Sequence, residues 1–332
     1  MTRLDTALGL LVPAFLVVIV GVLAATASRA NEIHYLSALV AVAMVVAIYV
    51  FVGNSGVLSF GQISFVAVGA FAAGVLTVPS QSKSFVLPDL FPFLRDTTVG
   101  NLASLGIAAA VGGAFAFLVG MPLMRLSGLA AGIATFAVLE VTHNLLREWT
   151  SIGPGATTLS LVPETTDALQ ATLGALAVVL VAWFYSLSRP GRLLRATRED
   201  AAAAQAVGVS VHRQRLGAFT LSGALAGFAG GLYVHMLGSI TTEQVYLELT
   251  FLTLAMLVVG GIASLWGAVV GALAVSGLDS LLAKAEDGSF VWDAPSGTRL
   301  VVVGAMMALV LVLRPAGITG GRELSLPRRK SE

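Results

Sequence analysis

The chain has 332 residues, 57% apolar and 11% charged, with a net charge of +1 and no cysteine, and its mean hydropathy is +0.90. Soluble globular proteins carry about 25% charged residues, so this composition excludes a water-clothed globular fold. The missing thiols exclude disulfides, thiolate metal sites and cysteine nucleophiles; a net charge of +1 says nothing about nucleic acid, and no nucleic-acid partner is expected.

Apolar runs recur at 8–27, 35–53, 57–78, 100–120, 126–146, 169–187, 216–237, 247–262, 265–282 and 299–313. Roughly 20 apolar residues cross a bilayer core as a helix, and lipid offers free backbone groups no partner. The pattern therefore predicts an all-α, polytopic transmembrane bundle of about ten spans in one domain, 1–332. The period-2 alternation of barrel strands is nowhere visible. The first run lacks a convincing cleavage site and reads as a retained helix.

Between the second and third spans, Gly53, Asn54, Ser55, Gly56, Ser59, Gly61, Gln62 and Ser64 crowd together. Such residues make either a tight turn or an interrupted helix. Interrupted helices place free backbone groups where transporters bind solutes, so Asn54 and Gln62 are candidate pathway groups. The stretch 79–99, with Pro79, Pro88 and Pro92, is the first long connection outside the lipid.

The fifth span carries Glu140, where a charge costs roughly 2.5–3.5 kcal/mol or more near a bilayer centre. His143, Asn144 and Arg147 follow at i+3, i+4 and i+7, which places all four on one helical face. A polar stripe of this kind suits a translocation path or an interhelical hydrogen-bond network, and spacing alone does not separate the two. Glu140, His143 and Asn144 are taken as candidate pathway residues, with Glu140 either pairing with His143 or reaching water.

The loop 188–215 is the only long one on its side of the membrane. Arg192, Arg195 and Arg198, each three apart, share roughly one helical face, with Glu199 adjacent. Asp200 opens an Ala-rich segment, as an acidic residue near a helix start should, and Gly208 closes it. A solvated connector is one reading of this loop, and a small-residue knob for a partner's groove is the other. In the following span Gly223, Gly227, Gly230 and Gly231 predict close helix packing. Gly260, Gly261, Ser264 and Gly267 form a short turn before the ninth span.

Lys and Arg mark the cytoplasmic side. With the N-terminus inside, thirteen of them lie on the cytoplasmic side and six lie outside. That bias places both termini in the cytoplasm, together with the tail 315–332, and requires an even number of spans. The four histidines are scattered, and neither HExxH nor a phosphate-cradling GxxxxGK[ST] is present. No enzyme is predicted: the chain cannot hydrolyse ATP through a P-loop, and it binds no metal or cofactor itself.

Several stretches carry a resemblance. The loop resembles the E-A-A-x-x-x-G coupling motif of ABC importer permeases, with Ala203, Ala204 and Gly208 matching and Ala202 at the acidic position. The longer RATREDAAAAQAVGV (195–209), with AFTLSGALAGFAGGLY (218–233) after it, is similar to the LivM-type permeases of high-affinity branched-chain amino acid importers. GNSGVLSFGQISFVAVGAFAAG (53–74), TFAVLEVTHNLL (135–146) with SIGPGATTL (151–159), LVVGGIASLWGAVVGALAV (257–275) and RPAGITG (314–320) agree with that family in order. His143 stands where the family commonly has arginine.

The resemblance implies a permease subunit in a bacterial inner membrane, moving branched-chain or related amino acids. It further implies a second permease subunit, two cytoplasmic ATPases holding ATP and Mg, and a periplasmic binding protein that delivers the solute. Arg198, Glu199, Asp200, Ala203, Ala204 and Gly208 would then make the ATPase coupling surface. Urea or short amides are alternative solutes, and an ion-coupled secondary transporter is the alternative mechanism.

Overall fold

The computed structural model describes residues 3–286, 295, 297–314, 316–321 and 323. The chain starts with α1 (Arg3–Thr26), α2 (Arg29–Ser55) and α3 (Gln62–Thr77), then the short α4 (Ser80–Val86) and α5 (Pro92–Arg95). Next come α6 (Asn101–Leu123), α7 (Gly128–Glu148) and α8 (Ala168–Leu187), followed by α9 (Arg189–Glu199) and α10 (Ala201–Ala206). The rest is α11 (Val211–Leu237), the 3-10 turn Glu243–Val245, α12 (Leu247–Gly260), α13 (Leu265–Glu286) and α14 (Thr298–Leu313). Among the described residues there is no strand, only an isolated antiparallel bridge between Leu159 and Ile240.

A helix therefore occupies each of the ten apolar runs. Among the described residues, eight segments are long and apolar enough to cross a membrane, while α3 and the apolar part of α14, Val301–Val310, are shorter. At 1.5 Å per residue, the 16 residues of α3 reach about 24 Å, short of the roughly 30 Å hydrocarbon core. Residues 56–61, before it, are not helical. The Phe60 N–H donates to Thr135 Oγ1 at 3.2 Å, and a Cβ on Gly61 would lie 2.5 Å from the Thr135 carbonyl oxygen. The segment thus runs beside the first two turns of α7 before α3 begins. The connection is longer than a tight turn.

Packing follows side-chain size. α2 is the central post, with Val42 to Val52 almost fully buried among α1, α8, α11 and α13. α11 lies against α2, α3 and α6. Its glycines let backbones meet: a Cβ on Gly230 would fall 2.1 Å from the Val66 carbonyl oxygen, and one on Gly227 2.3 Å from that of Ala108. Lipid supplies no hydrophobic drive between helices, so van der Waals contact at such seams holds the bundle. α12 and α13 pack beside α2, and α14 packs on α12 and α13. α7 sits at the edge, with α3 and α6 as its helical neighbours.

The connections sort into two ends. At one, Phe91 N–H donates to Ser151 O (3.1 Å) and Val162 N–H to Gly238 O (3.1 Å), tying the stretches after α3 and α7 to the end of α11. Lys83 is buried here, and its Nζ donates to the carbonyls of Leu94 and Thr97. Burial pushes its ammonium below the ordinary lysine range. At the other end lie α9 and α10, the α2 terminus, the α6–α7 and α12–α13 connections and residues 316–321. There Ile318 N–H donates to Val259 O (2.8 Å) and Thr319 Oγ1 to Gly260 O (2.7 Å). Most of the predicted tail 315–332, like Met1 and Thr2, lies outside the described residues.

Candidate functional site

One face of α7 (Thr135, Leu139, Thr142, His143, Leu146) is buried, and the other (Leu129, Ile133, Phe136, Glu140, Val141, Asn144) is exposed on this chain. The i, i+3, i+4 spacing predicted from sequence sets Glu140 at the centre of a polar cluster. Asn144 Nδ2 donates to Glu140 Oε1 at 2.9 Å, and the Tyr246 hydroxyl donates to Glu140 Oε2. His143 does not pair with Glu140. Its ring stacks on Tyr246, centroids 3.9 Å and planes 14° apart, and its Nε2 lies 3.5 Å from Glu243 Oε1. Arg147 Nη1 lies 4.0 Å from the same oxygen.

Tyr246 and Glu243 were not foreseen. They lie about a hundred residues downstream, on the connection from α11 to α12, and no local spacing links them to α7. Their signal in the sequence was only that a tyrosine and a glutamate flank an apolar run.

The other candidate pathway groups lie elsewhere. Gln62, at the first turn of α3, is buried, and its Oε1 accepts from Ser222 Oγ of α11 at 3.0 Å; Ser222 Oγ also donates to Ala47 O of α2 at 2.7 Å. Asn54 belongs with the loop after α8: its Oδ1 accepts from Arg195 Nη1 at 3.0 Å, and its Nδ2 donates to Val50 O at 3.0 Å. The five candidates thus divide into an α7 cluster, a core tie across α2, α3 and α11, and a link to α9.

That loop is two helices with separate N-caps. Ser188 Oγ accepts from the Gly191 N–H at 3.2 Å, and Asp200 Oδ1 from the Ala203 N–H at 2.9 Å. Gly208 follows α10 with φ +83, a left-handed conformation that favours glycine. Glu199, Asp200, Ala203 and Gly208 are exposed, whereas Ala204 is turned inward and buried. Val207 is 79% exposed, a bare apolar tip.

The arginines of α9 reach back into the bundle. Arg198 Nη1 donates to Gly53 O at 2.7 Å, and Arg195 Nη2 to Ser186 O at 2.6 Å. These are charge-assisted bonds to the last turns of α2 and α8. Glu323 completes the junction: its Oε1 accepts from the Leu265 N–H at the start of α13 (2.6 Å) and from the Tyr49 hydroxyl (3.5 Å). Burial raises its carboxyl above the usual range, opposed by the Leu265 and Trp266 N–H groups, Tyr49 and Arg195.

Among the described residues, no group of three or more His, Asp or Glu side chains could hold a metal ion. The arrangement sets the exposed carboxylate and amide of α7 beside the Tyr246 phenol, with the His143 imidazole on the buried face behind them.

The family model described as branched-chain amino acid transport system / permease component matches residues 33–311. The high-affinity branched-chain amino acid transport system permease protein LivM of Escherichia coli (strain K12) is 27% identical over 303 residues, 81% of this chain and 65% of that protein. The chain thus spans slightly under two thirds of that relative's length. A probable branched-chain amino acid transport permease protein LivH of Methanocaldococcus jannaschii is 31% identical over 137 residues, 39% of this chain and 40% of that protein. The autoinducer 2 import system permease protein LsrC of Klebsiella pneumoniae is 28% identical over 201 residues, 56% of this chain and 55% of that protein. A match over most of the bundle, joined to eight membrane-length apolar helices, makes this chain a multi-pass protein of the bacterial inner membrane and a member of the branched-chain amino acid transport system permease family.

Proposed function

We propose that the chain is one permease subunit of an ATP-binding cassette importer and that the exposed face of α7 lines its translocation path. One observation carries this reading. Glu140 lies midway along an apolar helix, on the outward side, with an exposed carboxylate. A charge there against lipid costs roughly 2.5–3.5 kcal/mol or more, and its partners Tyr246 and Asn144 do not bury it. The face must therefore meet water and a second permease subunit, not acyl chains.

In this reading ten segments cross the membrane, with residues 56–61 completing α3, and α9 and α10 lie in the cytoplasm. ATP and Mg bind to separate ATPase subunits, which press on the exposed Ala203, Val207 and Gly208. Arg195 and Arg198 pass that motion to α2 and α8 through the bonds described above. A periplasmic protein delivers the solute, a branched-chain or related amino acid. The LsrC relative, whose name gives autoinducer 2, supports a second reading in which the solute is of another class.

The test is uptake by vesicles holding the complete complex, with a panel of amino acids, amides and urea. Uptake that needs ATP and is confined to amino acids supports the leading reading. Uptake by this chain alone under an ion gradient overturns it. Because the chain has no cysteine, single cysteines report topology directly: Ser84→Cys should label from the periplasm only and Ala202→Cys from the cytoplasm only.

A further inference from the structure

A cavity of about 710 Å³ lies at the α9 end of the molecule, at the foot of the exposed α7 face. Its lining includes Gly56, Leu58, Gly128, Gly320, Arg198 and Arg215. The two arginines are its only charged groups among the described residues. Arg215 Nη1 donates to Leu126 O at 3.1 Å, and its buried Nε has no hydrogen-bond partner among the described residues. Arg198 spends one nitrogen on Gly53 O. Neither has a carboxylate within ion-pair distance among the described residues.

The cavity at the opposite end behaves differently. It measures about 360 Å³, and there Arg299 is already neutralised by Asp279 at 2.8 Å and Glu248 at 3.0 Å. Of the two, the α9-end cavity is the one whose guanidinium groups have donors to spare among the described residues. The amino end of α7 opens into it too, since Gly128 is the first residue of α7 and Ser127 makes no side-chain cap bond. Free helix N–H groups favour anions, and guanidiniums bind carboxylates in a planar fork.

We propose that this cavity is a carboxylate-binding exit chamber, in which Arg215, assisted by Arg198, holds the acidic group of the solute as it leaves the α7 face. The proposal rests on the permease reading above and adds a site and a chemical requirement to it. A neutral solute such as urea gains nothing from the chamber.

Leu58 lines the cavity and is 47% exposed, so Leu58→Cys in the full chain in nanodiscs reports its potential. The probes are a sulfonate-bearing and a trimethylammonium-bearing methanethiosulfonate, with Ala202→Cys as the reference outside the cavity. Relative to that reference, the anionic reagent should be favoured about tenfold, the scale of two cations acting over several ångströms of partly wet protein. Arg215→Gln should remove most of the preference and Arg215→Lys should keep it. Millimolar L-leucine should slow the anionic reagent several-fold, whereas leucinamide, which lacks the carboxylate, should not. An absent preference, a preference that survives Arg215→Gln, equal protection by leucinamide, or protection by inorganic phosphate but not leucine would each overturn the chamber. Uptake by the complete complex is scored separately. Active uptake with no charge preference at Leu58→Cys sinks the chamber alone, and a complex that takes up no solute under ATP sinks the permease reading whatever Leu58→Cys reports.

Discussion

α11 and α7 are both apolar helices of membrane length, yet α11 is locked against α3 and α6 by backbone contact and packed on α2, whereas α7 is held along one face. Gly227 and Gly230 bring α11 so close to α6 and α3 that a single methyl group would overlap carbonyl oxygens. α7 rests on α3 through Thr135, Leu139, Thr142 and Leu146, and its other face carries Glu140, Asn144 and large exposed apolar residues. Close-packed interiors resist continuous deformation, so under the proposed importer reading motion is expected at the α7 edge and at the α9 junction. The α11 seam is the frame against which they move.

The seam should fail hardest. Gly230→Val must displace the Val66 backbone, and overpacking of a tight core costs about 3 kcal/mol. The chain should fail to accumulate as a monodisperse species in size-exclusion chromatography. Gly217, on the same helix, has open space beyond its Cα, so Gly217→Ala should be tolerated and should gain some of the roughly 1 kcal/mol that separates Ala from Gly in a helix. Equal behaviour of the two variants would break the contrast between frame and edge.

Changes on α7 should spare assembly and strike transport. Glu140→Gln keeps the shape and removes the charge, while Tyr246→Phe removes the hydroxyl that meets it. Each should leave the chain monodisperse and lower uptake by the complete complex by about tenfold, the loss expected when a charge-assisted hydrogen bond worth roughly 1.5 kcal/mol is removed. The double variant should lose little more than either single one, because both act on the same bond. Native uptake by Glu140→Gln would assign the cluster to structure alone.

Much of this contrast was legible before any coordinates. The ten apolar runs each hold a helix because lipid permits little else, and the glycines of α11 declared a close seam. The α7 stripe was readable because 3.6-residue periodicity is local. Tyr246, Glu243 and Glu323 were not, since they reach the site by tertiary folding over distances that carry no sequence period. For the same reason Asn54 and Gln62, eight residues apart in a polar cluster, could not be separated. One answers to Arg195 and the other to Ser222, and neither partner is adjacent in sequence.

The α9 junction should give an intermediate result. Val207→Glu changes an exposed tip and costs the bundle nothing, yet in the coupling role it places a charge in a partner's groove. Uptake should fall several-fold while the chain folds normally, with ATP hydrolysis by the complex no longer stimulated by solute. Ala204, buried beneath the same helix, separates the two causes: Ala204→Leu should lower the thermal midpoint of the chain itself. Unchanged uptake in Val207→Glu would leave α10 a solvated connector.

The smallest effect is expected where the tail meets α13. Glu323 is held by the Leu265 N–H and the Tyr49 hydroxyl, and burial raises its carboxyl above the ordinary value. A carboxyl whose folded value is raised binds its proton more tightly in the folded state. Its contribution to stability is therefore complete at acid pH below the unfolded value and is lost as pH rises through the raised one. Glu323→Gln keeps an acceptor for Leu265 and cannot titrate. Near neutral pH the variant should match or slightly exceed the parent in thermal midpoint, by less than about 1 kcal/mol, the scale of one net hydrogen bond. The difference between variant and parent, which cancels every other titrating group, should shrink as the pH is lowered through the carboxylate range. A variant that is less stable at neutral pH, with the gap closing only in acid, would mean that attraction to Arg195 outweighs burial, and the tail would then belong with the charged coupling elements, not with the frame.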